Sequence, residues 1–382
     1  MEQRRNLKRK RGNVSSSCIP SSSKPSILAI DDRISTLPDP IIHDIFNFLP
    51  TKCVALTSIL STRFNFLRWN YPIIDLNEFD LDDRKIRSRF LNCMKRCRDN
   101  HDFTFLEKLK IRTREPSTKI FKKNISSLVD TFILRASHAN TLKEVELQLH
   151  IPIKVVPTLE EMSEQDKFPL RFYLLPQKPL FSSCKSLKIL KLRGCRFEAN
   201  VAMDDDGIML PFLNELHMKY CLIPHDNFVT KLLDSCPQLE TIAYKFNFYA
   251  KKIQIFNSNI KHLMLGSYYS ESIPEIVAPN LQTFKIKGTH WRHNYSGVGF
   301  IRSHLITISA PNVITFFVKG INFYDEDIKM AVTTFKNLKE LRFYGCFILD
   351  ELKFEGEKIE KLTISNCTFR HNYLGRRMSG FE

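Results

Sequence analysis

The sequence is poor in the residues that mark disordered, collagen-like and disulfide-stapled chains. Of its 382 residues only 12 are glycine and 18 are proline, whereas collagen-like and low-complexity chains contain far more of both. Ten cysteines are spread over the whole length, so we expect the reduced thiols of a cytosolic or nuclear protein. No apolar run approaches the roughly 18 residues of a membrane helix. The N-terminus is polar and basic, unlike a signal peptide. We therefore expect a soluble, globular protein that is not secreted.

Sequence motifs for catalysis and metal binding are also missing. Phosphate-binding loops need a defined glycine spacing, and the nearest match, residues 297–299, lacks the third glycine. Cys93, Cys97 and His101 have a helical spacing that aligns them on one face, but structural zinc needs four ligands in paired short-spaced groups, and no second group accompanies them. We expect a non-enzymatic protein with no catalytic residues, no metal and no cofactor.

The positive charge is concentrated at the N-terminus. The net charge is +16, and residues 1–26 contribute +6 of it through seven Lys and Arg against one acid. This segment has too few apolar groups to fold, so we expect a disordered tail. Clustered basic residues are recognised by nuclear import receptors or contact phosphates, and they also solubilise a chain. The basic run that predicts nuclear import is Lys8, Arg9, Lys10 and Arg11. We expect the protein in the nucleus, the cytoplasm or both.

A compact helical pattern follows, from about residue 32 to residue 69. Asp39 is expected to cap a helix whose first residue is Pro40, because proline has no N–H to lose there. Apolar residues then recur on one helical face up to Leu49, and Pro50 ends the segment. Two further helices are predicted over 51–60 and 61–69. A unit of fewer than ~40 residues buries little surface alone, so the pattern indicates a docking module.

From residue 106 onward the sequence repeats the template L-x-x-L-x-L ten times, and six of the nine spacings fall in the 20–29 window of leucine-rich repeats. The copies are Leu106/Leu109/Ile111, Leu142/Val145/Leu147, Leu187/Leu190/Leu192, Leu213/Leu216/Met218, Leu239/Ile242/Tyr244, Ile260/Leu263/Leu265, Leu281/Phe284/Ile286, Val313/Phe316/Val318, Leu338/Leu341/Phe343 and Ile359/Leu362/Ile364.

A second register supports the repeat. Three residues after the template lies a position that suits a side chain bonded to backbone in a buried turn, and it is occupied by Cys195, Cys221, Asn247, Cys346 and Cys367. The pattern predicts an α/β protein built as a solenoid, in which each unit supplies one strand and a return segment. The polar positions between the template residues then lie on the exposed strand face. Examples are Lys188, Lys191, Glu215, His217, Lys285 and Lys287.

The helical unit and the repeats together resemble plant-type F-box proteins with C-terminal leucine-rich repeats. The similarity lies in the stretches ISTLPDPII at 34–42, LPTK at 49–52 and TSILSTR at 57–63, and in the repeat phrases at 180–187 and 232–240. The resemblance implies a three-helix F-box followed by a leucine-rich-repeat horseshoe. It also implies that the F-box docks on a Skp-type adaptor of a cullin-RING (SCF) ubiquitin ligase while the repeats hold a protein substrate.

The resemblance also implies site residues and boundaries. The apolar adaptor contacts are expected among Leu37, Pro38, Ile41, Ile42, Ile45, Leu49, Pro50 and Val54. Phe64 and Arg68 depart from the family pattern. We expect a tail at 1–26, an F-box at 27–72, a helical linker at 73–104, repeats at 105–369 and a C-terminal tail at 370–382.

Two other functions stay open at this point. The repeats are compatible with a protein-binding scaffold that acts outside any ligase. Basic residues interleaved with aromatics at 245–252 and 285–294 are compatible with nucleic-acid binding, although the same basic surface suits an acidic or phosphorylated protein substrate. No membrane partner is expected.

Overall fold

The computed structural model describes residues 33–49, 51–80, 86–114, 119–149, 172–198, 208–223, 227–245, 252–266, 273–288, 307–320, 322–323, 334–348 and 359–369. The helices within these residues are α1 (Asp39–Asn47), α2 (Thr51–Thr57), α3 (Thr62–Trp69), α4 (Ile86–Asn100), α5 (Lys119–Ser137) and α6 (Asn227–Asp234). Two shorter helical turns cover Glu78–Asp80 and Pro179–Ser183.

The strands fall into one long sheet and three short ones. The long sheet contains β1 (Ile73–Asn77), β2 (Lys108–Arg112), β3 (Glu144–Gln148), β5 (Ile189–Arg193), β7 (Glu215–Lys219), β8 (Thr241–Lys245), β10 (His262–Gly266), β12 (Thr283–Lys287), β14 (Thr315–Lys319), β16 (Glu340–Tyr344) and β18 (Lys361–Ser365). The short sheets contain β4 (Tyr173–Leu174), β6 (Cys195–Arg196), β9 (Lys252–Phe256), β11 (Ile273–Val277), β13 (Thr307–Ser309), β15 (Asn322–Phe323), β17 (Phe347–Ile348) and β19 (Thr368–Phe369).

The long sheet is a leucine-rich-repeat ladder. Its eleven strands lie in chain order, and each pairs in parallel with the next without a register shift. All ten predicted templates form strands of this sheet, which confirms the repeat. Parallel neighbours need a crossover connection, and the return segment of each unit supplies it.

The sheet starts one strand earlier than the sequence predicts. The segment 73–104, expected to be a helical linker, begins with β1, and only α4 in it is a long helix. Tyr71, Ile74 and Leu76 have the template spacing and are buried. A tyrosine at the first template position hid this copy from a search for aliphatic residues.

The strand pattern explains the core. In most strands of the long sheet the second and fourth residues are buried and the first, third and fifth are partly exposed. Successive side chains of a strand point to opposite faces, so the template residues stack into one continuous apolar layer that runs from Ile74 to Cys346. We call the opposite side of the long sheet the open face.

The turn after several strands repeats a backbone device. Gly194, Gly320 and Gly345 have φ values of 77°, 65° and 59°, while Tyr220 and Asn366 occupy the equivalent place at 52° and 53°. This left-handed conformation favours glycine, because other residues carry a Cβ that crowds the backbone. The turn brings the next residue, usually a cysteine, into the core.

The predicted cysteine positions bond to backbone across neighbouring units. The thiol of Cys221 donates to the Leu192 carbonyl at 3.6 Å, and that of Cys346 donates to the Val318 carbonyl at 3.6 Å. Burial raises the pKa of Cys221 to about 12, which keeps the thiol protonated as a donor. The nine cysteines in the described part of the chain are free thiols. Asn247 lies outside the described residues.

A second ladder, absent from the sequence analysis, links the units at the other edge of the sheet. The side-chain amides of Asn259, Asn280 and Asn312 donate to backbone carbonyls one unit earlier, at 2.6, 2.8 and 2.8 Å. Each asparagine directly precedes the first template residue of its unit, so the signal was present at a fixed position.

The back of the solenoid changes along the chain. Helices α4 and α5 pack together behind the first units, and the later units place β9, β11 and β13, or β15, β17 and β19, in short parallel sheets. In the described residues no helix is long and apolar enough to cross a membrane.

The three N-terminal helices have a small core of their own. It contains Ile42, Phe46, Val54, Phe64, Leu67 and Tyr71. Helix α1 begins at Asp39 rather than Pro40, and its N-cap is Pro38 with no side-chain cap. Ser61 caps α3, because its hydroxyl accepts from the Phe64 N–H at 3.2 Å. Trp69 packs on the core of the repeats, so the unit is joined to the solenoid.

Candidate functional site

The N-terminal helical unit carries a concentration of exposed apolar side chains. Phe48 is 89% exposed and Ile59 is 79% exposed. Single exposed apolar residues are ordinary, but a dense group of them marks an interaction surface. We call this group the apolar docking surface; it consists of Ile34, Ile41, Ile45, Phe48, Leu49, Leu56, Ile59, Leu60 and Phe66.

Helix α1 has two apolar stripes with different environments. Ile42 and Phe46, four residues apart, are buried in the core of the unit. Ile41 and Ile45 have the same spacing and are 45% and 39% exposed. Residues four apart share a helix face, so a complete second stripe faces outward.

The residues predicted to contact the adaptor fall into an exposed group and a buried group. Ile41, Ile45 and Leu49 lie on the apolar docking surface, Pro38 is exposed and Leu37 is half-buried. Ile42 and Val54, by contrast, are 0% and 4% exposed. They hold the three helices together, so the surface does not include them.

Pro50 and the basic run Lys8, Arg9, Lys10 and Arg11 lie outside the described residues. Further residues of the apolar docking surface were not predicted from the sequence, and each is an apolar residue that lies off the buried stripe: Phe48, Leu56, Ile59, Leu60 and Phe66.

Arg63 of α3 fixes the segment that leads into α1. Its guanidinium donates to the backbone carbonyls of Ser35 and Leu37, each at 2.5 Å, and forms an ion pair with Asp39. The Asp39 carboxylate is thus engaged by Arg63 instead of capping the helix. Hydrogen bonds from a charged donor are stronger than neutral ones, so this clamp positions Leu37 and Pro38 beside the apolar docking surface.

The two departures from the family pattern have defined places. Phe64 is buried with its ring 6.3 Å from that of Phe46. Arg68 lies over the Trp69 ring at 4.3 Å and donates to the Ser58 hydroxyl at 3.3 Å. Arg68 therefore connects α3 to the end of α2.

Cys97 of α4 and His101, which follows the helix, are buried, whereas Cys93 is exposed. Burial raises the pKa of Cys97 to about 12 and lowers the pKa of His101 to about 4. Nδ1 of His101 donates to the Asp102 carbonyl at 2.8 Å. No group of three or more metal-ligating side chains occurs in the described residues.

The open face of the sheet has a second surface of interest. The fifth residue of each strand is its last, so these residues form a row along the carboxyl ends of the strands. No strand of the long sheet has an acid at this position. From β5 to β14 these residues are basic, apart from Gly266. We call them the basic row; they are Arg193, Lys219, Lys245, Lys287 and Lys319.

Several basic side chains elsewhere on the open face pair with acids. Lys110 bonds Glu144 at 2.9 Å, and Arg342 bonds Glu340 at 2.7 Å. His217 lies 3.4 Å from Glu215. The expectation that polar x positions occupy this face is confirmed for these residues and for Lys191, Lys285 and Lys287. Of the basic and aromatic segments, 246–251 and 289–294 lie outside the described residues.

Comparison with known proteins identifies relatives. The family model described as FBD-associated F-box protein At5g56370, LRR repeats, matches residues 156–316. The Arabidopsis thaliana F-box/FBD/LRR-repeat protein At1g51370 is 25% identical over 67% of this chain and 50% of its own length. FBD-associated F-box protein At5g27750 of the same plant is 26% identical over 68% and 55%, and F-box/LRR-repeat protein At4g14103 is 30% identical over 56% and 49%.

The chain spans about half the length of these curated relatives. The matches agree with the geometry, since the family model describes leucine-rich repeats and the matched residues include β5, β8 and β12 of the parallel ladder. Together with the sequence motifs, they show that the chain is similar to plant F-box/leucine-rich-repeat proteins.

Proposed function

We propose that this protein is the substrate-recognition subunit of an SCF-type ubiquitin ligase. In this proposal the N-terminal helical unit is an F-box that binds a Skp-type adaptor, and the open face of the repeats binds a protein substrate. The observation that carries the proposal is the apolar docking surface on a small helical unit joined to a repeat solenoid, in a chain whose relatives are named F-box proteins.

The two sides of α1 differ in burial. The buried stripe belongs to the core of the unit, whereas Ile41 and Ile45 of the outward stripe lie outside that core. Each fully buried side chain of this size contributes about 1.5–3 kcal/mol when it leaves water. Ile41 and Ile45 are still 45% and 39% exposed, so a partner that covers the outward stripe gains the corresponding part of this free energy without rearranging the unit.

The protein contributes no reacting group in this proposal. Holding a substrate near the ubiquitin-loaded enzyme raises the effective concentration of the acceptor lysine. Rigid attachment supports that role, because Trp69 packs on the repeat core and the Asp102 N–H donates to the Trp69 carbonyl at 2.9 Å. Ordered contacts then fix the position of a bound adaptor relative to a substrate on the repeats.

Co-purification of the full chain with a plant Skp-type adaptor tests the proposal. Wild type should form a stoichiometric complex, and Ile41→Glu with Ile45→Glu should reduce binding at least tenfold. The matched control is Leu134→Glu with Phe105→Glu, which alters two exposed apolar residues of the repeat region by the same charge. Circular dichroism melting checks that both variants stay folded. Equal binding by wild type and the α1 variant would contradict the proposal.

The scaffold alternative differs in one result. A repeat scaffold outside any ligase folds as described but forms no adaptor complex, whether or not Ile41 and Ile45 are present. The nucleic-acid alternative predicts tight RNA or DNA binding that falls steeply with salt.

A further inference from the structure

The basic row is a line of like charges held together by strand register. Arg193 is directly opposite Lys219, Lys219 is opposite Lys245, and Lys287 is opposite Lys319. Adjacent strands lie about 4.8 Å apart, so the row extends over about 24 Å along the edge. Like charges directly opposite each other destabilise a sheet, and the fold tolerates three such pairs here.

Gly266 interrupts the basic row between two of its lysines. Gly266 pairs with Lys245 on one side and Lys287 on the other, and it has no side chain to separate them. Burial, and then the neighbouring Lys287, Lys219 and Lys285, lower the pKa of Lys245 to about 8. Burial and the nearby Arg193 also lower the pKa of Lys219. Gly266 is itself buried, and it carries no side chain that would occupy the space over the backbone between the two lysines.

We propose that the basic row binds a phosphorylated segment of a protein partner, with a phosphate group seated over Gly266 between Lys245 and Lys287. The identification of this partner as the ubiquitination substrate rests on the proposed function. The binding of the phosphate group to the basic row is independent of the proposed function.

Charge density favours a phosphate over a carboxylate. A phosphorylated side chain carries about −1.5 to −2 charges and three acceptor oxygens in one compact group. Lysine binds phosphate as a point charge. A phosphate dianion can neutralise the charges of two lysines and so remove their mutual repulsion, whereas a carboxylate neutralises only one of the two charges. Basic residues in such a cluster are the recognition mode of phosphorylated motifs.

The aromatic residues beside the row favour a protein over a nucleic acid. Single-stranded nucleic acids bind through bases that stack on exposed rings. Tyr220 has the Arg193 guanidinium at 5.2 Å and the Lys219 ammonium at 5.0 Å from its ring centre. Tyr344 has the Lys319 ammonium at 4.4 Å. Both rings are thus engaged by cations of the row.

The test uses the full chain and fluorescence anisotropy. The probe is a short labelled peptide of glycine, alanine and serine with phosphoserine at three alternate positions, compared with its unphosphorylated form. The variant is Lys245→Gln with Lys287→Gln. The control is Lys261→Gln with Lys339→Gln, which removes the same charge from the opposite edge of the sheet, where these lysines pair with Glu240 and Glu360.

We expect the phosphopeptide to bind the wild type and the control, at least tenfold tighter than the unphosphorylated peptide, and the variant to lose at least tenfold. Equal affinity of variant and wild type overturns the proposal, as does an equal loss in the control. Tighter binding of a single-stranded RNA, lost in the same variant, overturns it in favour of a nucleic-acid site. A chain that binds adaptor but not phosphopeptide refutes only this inference, and the reverse result refutes only the proposed function.

Discussion

The guanidinium of Arg63 donates to the backbone carbonyl of Leu37 at 2.5 Å, across 26 residues of sequence. The same group reaches Ser35 and Asp39, so one side chain of α3 fixes the whole entry into α1. The segment that resembles the opening of an F-box is therefore held by a tertiary contact, and its shape depends on α3 being formed.

Loss of this clamp should weaken adaptor binding without harming the repeats. We expect Arg63→Met to destabilise the N-terminal unit by about 1–2 kcal/mol, because it removes charge-assisted hydrogen bonds from a partly exposed site. Hydrogen exchange should show faster opening of α1 and unchanged protection of β5 and β7. Arg63→Lys, which cannot reach three acceptors at once, should restore only part of the binding. Slower or unchanged exchange in α1 would refute the clamp.

His101 should make stability depend on pH in the acid range. Burial lowers its pKa from 6.5 to about 4, so below pH 6.5 the unfolded chain binds a proton that the folded chain excludes. Stability is then lost as the pH falls from about 6.5 to 4. We expect about 2 kcal/mol of this loss between pH 7.5 and 5. Glutamine at position 101 cannot titrate. The difference in unfolding free energy between wild type and His101→Gln, measured in melts, should therefore be smaller at pH 5 than at pH 7.5 by that amount. A constant gap would contradict the prediction.

Lys245→Gln should stabilise the protein at neutral pH. The pKa of Lys245 is lowered from 10.5 to about 8, so at pH 7 the folded chain holds an ammonium that its surroundings disfavour. We expect a melting temperature about 1–3 °C above wild type. Between pH 8 and 10.5 the unfolded wild-type chain binds more protons than the folded one, so the stability of the wild type rises with pH. The stability advantage of the variant therefore decreases over this range. The control Lys261→Gln, which breaks a pair with Glu240 at 2.7 Å, should give no increase.

The repeat ladder could be predicted from the sequence, because its signal is local. Each template spans six residues, and all ten copies form strands of one sheet. The basic row could not be predicted in this way. Lys245 and Lys287 are 42 residues apart, and they become neighbours of Gly266 only through strand register.

The docking surface was predictable in part for a related reason. Helical periodicity placed apolar residues on α1, but Ile41 and Ile42 are adjacent and equally apolar. Which of them faces the core is decided by the packing of Phe46 against Phe64 and Tyr71, with ring centres 6.3 and 5.6 Å apart. That choice depends on α3 and on Tyr71, which follows it, so the pattern of α1 alone assigns both residues to one surface.

The basic run near the N-terminus gives a prediction about location in the cell. Deleting residues 1–26, or replacing Lys8, Arg9, Lys10 and Arg11 with glutamine, should lower the nuclear fraction of a fluorescent fusion in plant cells, because import receptors bind clustered positive charge. The two variants should agree. An unchanged nuclear fraction in both would refute nuclear import through this run.

Hydrogen exchange of the full chain, with and without a plant Skp-type adaptor, tests directly whether the N-terminal unit binds the adaptor. We expect adaptor-dependent protection in α1 and α2, around Ile41, Ile45 and Leu56, with no change in β8, β10 and β12. Protection confined to the strands of the long sheet, or no protection at saturating adaptor, would contradict the claim that the N-terminal unit is the docking module.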